Sequence, residues 1–360
     1  MRIGFDAHVL DGRDQGSKTV LLRMANELAS RHPSHDFFIY AENKHPELDF
    51  SYANLHFRYV QHRGAWAHLM SAMPKAYKDD NIDTMVFTYI TSPFIPRTAV
   101  FFHDVLPISH PKYFSLRFVV RCLLLYGGSS LLARHIFTIS HYSRTQIERF
   151  FPWSRRNDVH VMPISASFHE STYRVAPNPV ALHRALVGGG RYALVVGRIE
   201  ARKNTQLAVD AFHRGAPADC KLVVVGRREP GIGLDVHDDP RIVELSGVSD
   251  SDLAEIYRNA ALFLYPSSAE GFGLPLLDAI LFGLPVISSD RTSMAEVGGD
   301  AVEFFDPEAP GAVTWLADRI SAHFGDRPVA PPTLVQRQQK ADQYSWANTA
   351  DTFVAGVTAR

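Results

Sequence analysis

Short, continuous apolar runs are the feature that most narrows the folds open to this chain. Thr84–Thr88, Thr98–Phe102, His135–Ile139, Ala193–Val196, Lys221–Val225, Ala261–Tyr265 and Pro285–Ser288 each read as a strand without alternation. A strand with one face in water alternates apolar and polar residues, whereas a strand covered on both faces need not. Sheets covered on both faces are typically parallel, with helices packed on them. Segments of helical period lie between the runs, at Lys18–Arg31, Arg117–Leu132, Ser143–Phe150, Thr205–Arg214, Asp250–Asn259 and Pro275–Leu281. The alternation predicts repeated βα units, hence a doubly wound α/β fold.

The rhythm breaks between about Pro163 and Gly190, where Pro163, Pro177 and Pro179 precede the run Gly188-Gly189-Gly190. Such a stretch predicts a linker. The 360 residues then divide into an N-terminal Rossmann-like domain over 1–165, a linker over 166–190 and a second Rossmann-like domain over 191–335. A Pro-rich stretch at Pro328–Pro332 precedes a last helix, Gln336–Val354, so residues 336–360 are expected to return to the first domain. Ligands of such an architecture are expected in the cleft between its domains.

Charge excludes two classes of partner. Lys and Arg number 37 against 38 Asp and Glu, a formal net charge of −1. That balance argues against a nucleic-acid binder and against an acidic disordered chain. Cys122 and Cys220 are too few for a disulfide scaffold and lack metal-ligand spacing, which suits a reducing, cytoplasmic setting. Met1-Arg2-Ile3-Gly4-Phe5-Asp6 reads directly as a strand, with no leader ahead of it. Phe118–Leu132 is the most apolar stretch, but Arg121 and Gly127-Gly128 interrupt it. It falls short of the roughly 20 apolar residues that span a bilayer and reads as a core helix. Arg144, Arg149, Arg155 and Arg156 surround Phe150-Phe151-Pro152-Trp153. This segment reads as a solvated loop, with peripheral contact to an anionic membrane as the alternative.

Two segments carry chemistry. In the first, a strand ends near Tyr265 and the loop Glu270-Gly271-Phe272-Gly273-Leu274 opens a helix with Pro275 in its first turn. The backbone N–H groups of Phe272, Gly273 and Leu274 are placed to meet an anion, and Gly271 and Gly273 permit its close approach. Glu270 and Asp278 flank the turn as two carboxylates, which equally suit the start of a helix dipole. In the second segment, Gly197-Arg198-Ile199-Glu200-Ala201-Arg202-Lys203-Asn204 follows a strand and precedes a helix. Arg198, Arg202 and Lys203 stand where α/β folds bind phosphates, although three cations on a loop also suit a solvated face. Together the two segments point to a diphosphate site.

These residues resemble the family 4 glycosyltransferases, retaining enzymes of the GT-B fold that use nucleotide-diphosphate sugars. The matching pieces are Gly197-Arg198 with Arg202-Lys203-Asn204, the Glu270-Gly-Phe-Gly-Leu-Pro block, Gly283-Leu284-Pro285-Val286, and Ala295–Ala301 followed by Asp306-Pro307. His103-Asp104-Val105 and Thr138–Ser143 match more loosely in the N-terminal half. The resemblance implies GT-B architecture, two Rossmann-like domains facing across a cleft. It further implies that Arg198 and Lys203 neutralise the leaving phosphate and that Glu270 binds sugar hydroxyls with the 272–274 backbone. Asp278 would hold the ribose, Arg202, Gly271 and Gly16 would belong to the donor site, and His103 would touch the donor sugar. No metal and no cofactor are implied beyond the nucleotide sugar itself. The implied acceptor is a hydroxyl of a saccharide or a lipid-linked sugar. The stretch Gly197–Asn204 looks most like bacterial polysaccharide mannosyl- and rhamnosyltransferases, which makes GDP-mannose the first donor to test.

The chain departs from that family in two places. Asp278 stands where Glu is usual, and the loop at 11–17 offers Gly16 alone where a glycine pair is common. Other signals carry less. Asp250-Ser251-Asp252 is formally an Asp-x-Asp metal motif, but it opens a helix and reads as its N-cap. Gly226, Gly231 and Gly233 lack dinucleotide spacing, and the 17 histidines show no zinc-type helical pair. A non-hydrolysing nucleotide-sugar epimerase and a catalytically silent nucleotide-sugar-binding subunit remain as alternatives.

Overall fold

A computed structural model of the chain describes residues 1–11, 16–61, 64–157, 159–168, 170–173 and 190–359. It comprises two compact units. The first is Met1–Ser165 with Gln343–Arg360, and the second is Ala166–Asp342.

The first unit holds β1 (Arg2–Asp6), β2 (Asp36–Ala41), β3 (Leu55–Tyr59), β4 (Thr84–Thr88), β5 (Thr98–Phe102), β6 (His135–Thr138) and β7 (Val159–Val161). They form one parallel sheet in the order β3-β2-β1-β4-β5-β6-β7. Its central strands are buried almost end to end, as at Ile3–Asp6 and Thr98–Phe102, which is why their sequences do not alternate. The chain winds outward from β1 to β3, then resumes on the other side of β1 with β4. The carboxyl ends of β1 and β4 therefore flank a topological switch point.

The second unit repeats the plan with β8 (Arg191–Val196), β9 (Cys220–Val225), β10 (Ile242–Leu245), β11 (Leu262–Tyr265), β12 (Val286–Ser289) and β13 (Glu303–Phe305), ordered β10-β9-β8-β11-β12-β13 and again parallel. Its switch point lies between β8 and β11, where Ala193 pairs with Leu262 and Leu194 with Phe263. The helix Thr205–Gly215 packs on the helix Ala312–Phe324 so closely that a Cβ on Gly215 would lie 2.2 Å from the Ala317 carbonyl oxygen.

The C-terminal segment differs from the single predicted helix. It forms two, Leu334–Gln343 and Trp346–Thr358, and Ser345 caps the second by accepting from Asn348 N–H at 3.2 Å. The second helix belongs to the first unit. Phe353 packs on Phe5 and Phe137 with ring centroids 5.5 and 5.1 Å apart, and Arg31 pairs with Asp351 at 2.6 Å. Residues 166–168, 170–173 and 190, expected as linker, belong to the second unit. The rest of that predicted linker, 169 and 174–189, lies outside the described residues, as does most of the loop ahead of Gly16. Among the described residues no helix is long and apolar enough to cross a membrane.

The helix Leu116–Leu132 corrects the reading of it as core. Cys122, Tyr126, Ser129 and Ser130 are buried, but Leu116, Val120, Leu124 and Leu131 are exposed. Phe151 and Trp153, by contrast, pack inward against this helix, and Trp153 Nε1 donates to Ser130 Oγ at 2.9 Å.

Candidate active site

The two chemistry-bearing loops leave adjacent strands of the second unit. The loop after β8 carries Arg198, Arg202 and Lys203, and the loop after β11 carries Glu270, so both start at the carboxyl side of the switch point. Two backbone features hold the first loop in place. Gly197 has a φ of 144°, and a Cβ on the neighbouring Gly226 would lie 1.9 Å from the Gly197 carbonyl oxygen. Asn204 takes a left-handed conformation, with φ of 52°, to end the short 3₁₀ turn Ala201–Lys203 and start the next helix.

Glu270 is the centre of the cluster and only 6% exposed. Its Oε1 accepts from the Tyr265 hydroxyl and the Ser267 hydroxyl, both at 2.9 Å, and pairs with the Lys203 ammonium. Its Oε2 accepts from Arg202 Nη1 at 2.7 Å. Burial by itself would raise the carboxyl's pKa. The adjacent Arg202 and Lys203 outweigh that and hold it down at about 2. Burial likewise pulls the Lys203 ammonium below its usual value, against the pull of Glu270. Arg202 is shared, bonding Glu200 at 2.6 Å and the Ala269 carbonyl at 2.8 Å. The Glu270 backbone is fixed as well. Its N–H donates to Thr292 Oγ1 at 3.0 Å, and its carbonyl accepts from Ser293 Oγ at 3.1 Å.

From Glu270 the chain turns through buried Gly271 and Phe272 into the helix Leu274–Phe282. Gly273, with φ of 103°, makes that turn, and Pro275 occupies the first helical turn. The 272–274 backbone thus leads into a helix N-terminus beside two cations, an arrangement that favours a bound anion.

Three other predicted residues stand apart from the cluster. Arg198 lies on the same loop, but its guanidinium faces Glu229 at 3.5 Å and is half exposed. Asp278 is buried and held by the segment after Ser165. Its Oδ1 accepts from the Tyr173 hydroxyl at 2.7 Å and from Ser167 N–H at 2.9 Å. Burial pushes its pKa up to about 6, against the lowering effect of those two donors. His103 belongs to the first unit, directly after β5. It meets Phe101 edge-on at 4.5 Å, and burial holds its pKa down at about 3, so the imidazole is neutral near pH 7. His103, Thr88, Asp6 and Ser17 line one small cavity at that unit's own switch point. Gly16 opens the helix that carries Ser17.

Residue spacing gave no sign of several members. Tyr265 marked a strand end, yet its hydroxyl also accepts from Lys203 Nζ at 3.2 Å. Asp6 Oδ1 bonds both His68 Nε2 at 2.8 Å and His8 Nδ1 at 3.1 Å. These three residues are the group among the described residues whose ligand atoms, within 4.8 Å of one another, could hold a metal ion. The Asp-x-Asp at 250–252 caps differently from expectation. Ser249 accepts from Asp252 N–H at 3.2 Å, while Asp250 and Asp252 sit in the first turn.

A family model for glycosyl transferases group 1 matches residues 190–322, the stretch that builds the Glu270 cluster. The O-antigen chain mannosyltransferase B of Escherichia coli is 30% identical over 280 residues, covering 71% of this chain and 68% of that protein. The chain belongs to the glycosyl transferases group 1 family. A serotype-specific mannosyltransferase WbdA of Escherichia coli is 27% identical over 243 residues, which cover 60% of this chain but only 29% of that longer protein. Among solved structures, sucrose-phosphate synthase from Thermosynechococcus elongatus aligns with a TM-score of 0.76 at 15% identity, over 98% of this chain and 97% of its own. At that identity the match speaks to fold, and the fold is GT-B: two Rossmann-like α/β units in one chain. The glycosyltransferase therefore carries its family match on the unit in which Lys203, Arg202 and Glu270 converge.

Proposed function

We propose that this glycosyltransferase transfers a hexose, with retention of anomeric configuration and without a metal, from a nucleotide-diphosphate sugar to a hydroxyl of a saccharide or lipid-linked acceptor. The observation that carries the reading is the buried Lys203–Glu270–Arg202 cluster, joined by Tyr265, at a strand-end switch point and a helix N-terminus. Mannose from GDP-mannose is the first donor reading. It is supported by Gly197–Asn204 and by the name of the Escherichia coli mannosyltransferase with 30% identity.

The chemistry asks three things of the site. Negative charge grows on the diphosphate as the bond from the anomeric carbon to the phosphate oxygen breaks. Lys203, with Arg198 from the same loop, supplies positive charge where that charge develops. The sugar must be held by its hydroxyls, and a carboxylate kept ionised at about pKa 2 is an acceptor at every working pH. The ribose needs a further acceptor, the role assigned to Asp278, whose two bonds from Ser167 and Tyr173 both fall on Oδ1. His103, held neutral, offers the sugar a hydrogen bond without adding charge. In same-face substitution, the acceptor oxygen bonds the anomeric carbon on the side the phosphate leaves, and its proton passes to a phosphate oxygen. Arg198, Lys203 and the helix N-terminus supply positive charge in this account, so a metal ion has no assigned step.

Thermal shift with GDP-, UDP-, ADP- and dTDP-sugars tests the donor class. A donor at about 100 times its Kd stabilises the fold by roughly 2.7 kcal/mol, and GDP-mannose is expected to give the largest rise in Tm. A screen in which no nucleotide sugar raises Tm contradicts the reading. Release of GDP only when acceptor is present separates a transferase from a silent binder, and donor conversion without acceptor marks an epimerase.

A further inference from the structure

The helix Leu116–Leu132 presents a face that neither the fold nor the donor site explains. Leu116, Val120 and Leu124 follow at four-residue spacing, so they share one stripe, and they are 77%, 47% and 70% exposed. Leu131, at 63%, continues the stripe toward the helix end. Large apolar side chains so exposed, in a row, mark a surface that meets something other than water. The opposite face is accounted for. Cys122, Tyr126 and Ser129 are buried, and Ser129 Oγ receives the Thr91 N–H at 3.0 Å.

Charge identifies the occupant. From residue 105 to residue 147 the chain contains no Asp or Glu, while Lys112, Arg117, Arg121, Arg134 and Arg144 are all basic. Arg117 and Arg121 are exposed and border the stripe, and Arg121 lies over the Phe118 ring at 6.0 Å. Glu148, the first acid after this stretch, is tied to Arg144 at 2.7 Å. An apolar stripe edged by arginines matches the boundary between acyl chains and anionic headgroups. A two-fold contact with a second copy would instead set Arg117 and Arg121 against the same arginines of the other copy. The helix is about 25 Å long at 1.5 Å per residue, and its buried face ties it to the sheet, so it would lie along a bilayer rather than cross it.

We propose that the Leu116–Leu132 helix docks the protein on the surface of an anionic phospholipid bilayer, with the Leu116–Val120–Leu124–Leu131 stripe in the acyl boundary and Arg117 and Arg121 on the headgroups. The docking is independent of the donor assignment, because none of these residues belongs to the Glu270 cluster or the His103 cavity.

Vesicle co-sedimentation of the full chain tests it. Vesicles of phosphatidylcholine with 30% phosphatidylglycerol are compared with vesicles of phosphatidylcholine alone, at low and high salt. The expected result is capture by the anionic vesicles, at least tenfold weaker capture by neutral ones, and weakening by salt. The pair Val120→Glu and Leu124→Glu, and separately Arg117→Glu with Arg121→Glu, should each lower capture at least tenfold at unchanged Tm. The second pair keeps the test open should the first fail to fold. Equal capture by both vesicle types, or folded variants that bind as the parent does, would overturn the proposal. So would a solution dimer that Leu124→Glu converts to monomer, since the stripe would then be a contact between copies.

Discussion

Glu270 and Asp278 are both buried carboxylates, yet their surroundings drive them in opposite directions. Two cations hold Glu270 ionised, whereas Asp278 has only neutral donors, and burial lifts it to about 6 from a usual 3.8. The raised value makes the protonated form the better fit to the fold. Its contribution to stability is complete below about pH 4 and is lost as pH rises through about 6. Asp278→Asn, permanently neutral and still an acceptor for Tyr173, should flatten the fall in Tm between pH 4 and 6. Parallel Tm profiles for parent and variant would show that Asp278 does not titrate there. Glu200, Arg202, Lys203 and Glu270 sum to zero charge, and Arg198 tips the loop to one net positive. Lys203, Arg202 and Glu270 were legible in the sequence because each sits in a compact motif beside a strand end. The bonds from Asp6 to His68 and from Asp278 to Tyr173 join residues 62 and 105 positions apart, which no local pattern reveals.

At the scale of elements, the central strands could be read from their apolar runs because both faces are covered. The edge strands could not. β3, β7, β10 and β13 are only partly buried, so Leu55–Tyr59, Ile242–Leu245 and Glu303–Phe305 mix polar with apolar residues. Phe37–Ala41 is apolar and buried, and the run-based reading passed over it. The helix Leu116–Leu132 misled in the other direction, since its leucines occupy both faces and composition alone does not say which face is covered. Two glycines separate packing from function. Gly226→Ala would push a Cβ against the Gly197 carbonyl and shift the loop that carries Lys203. It should lower Tm and also weaken nucleotide-sugar binding. Gly215→Ala, at the crossing of two helices, should lower Tm by a comparable amount, on the order of 1–3 kcal/mol of stability, and leave binding intact. Calorimetric titration of both variants checks this, and equal binding losses would contradict the loop's assigned role.

For the whole molecule, the βα rhythm in the sequence was enough to indicate two Rossmann-like units. The last helix was harder to place. The segment 336–360 splits at Ser345, and only the part beyond the break packs on Phe5 and Phe137. Both units place polar side chains at the carboxyl ends of strands beside their switch points, His103 and Asp6 in the first and Lys203 and Glu270 in the second. On the proposed function, the Lys203–Glu270 cluster binds the nucleotide-diphosphate sugar. Isothermal titration of GDP-mannose into the full chain and into Lys203→Ala measures that dependence. Saturable binding to the parent is expected, with at least tenfold weaker binding to the variant at a temperature where both remain folded. Equal affinity in the two proteins would contradict it.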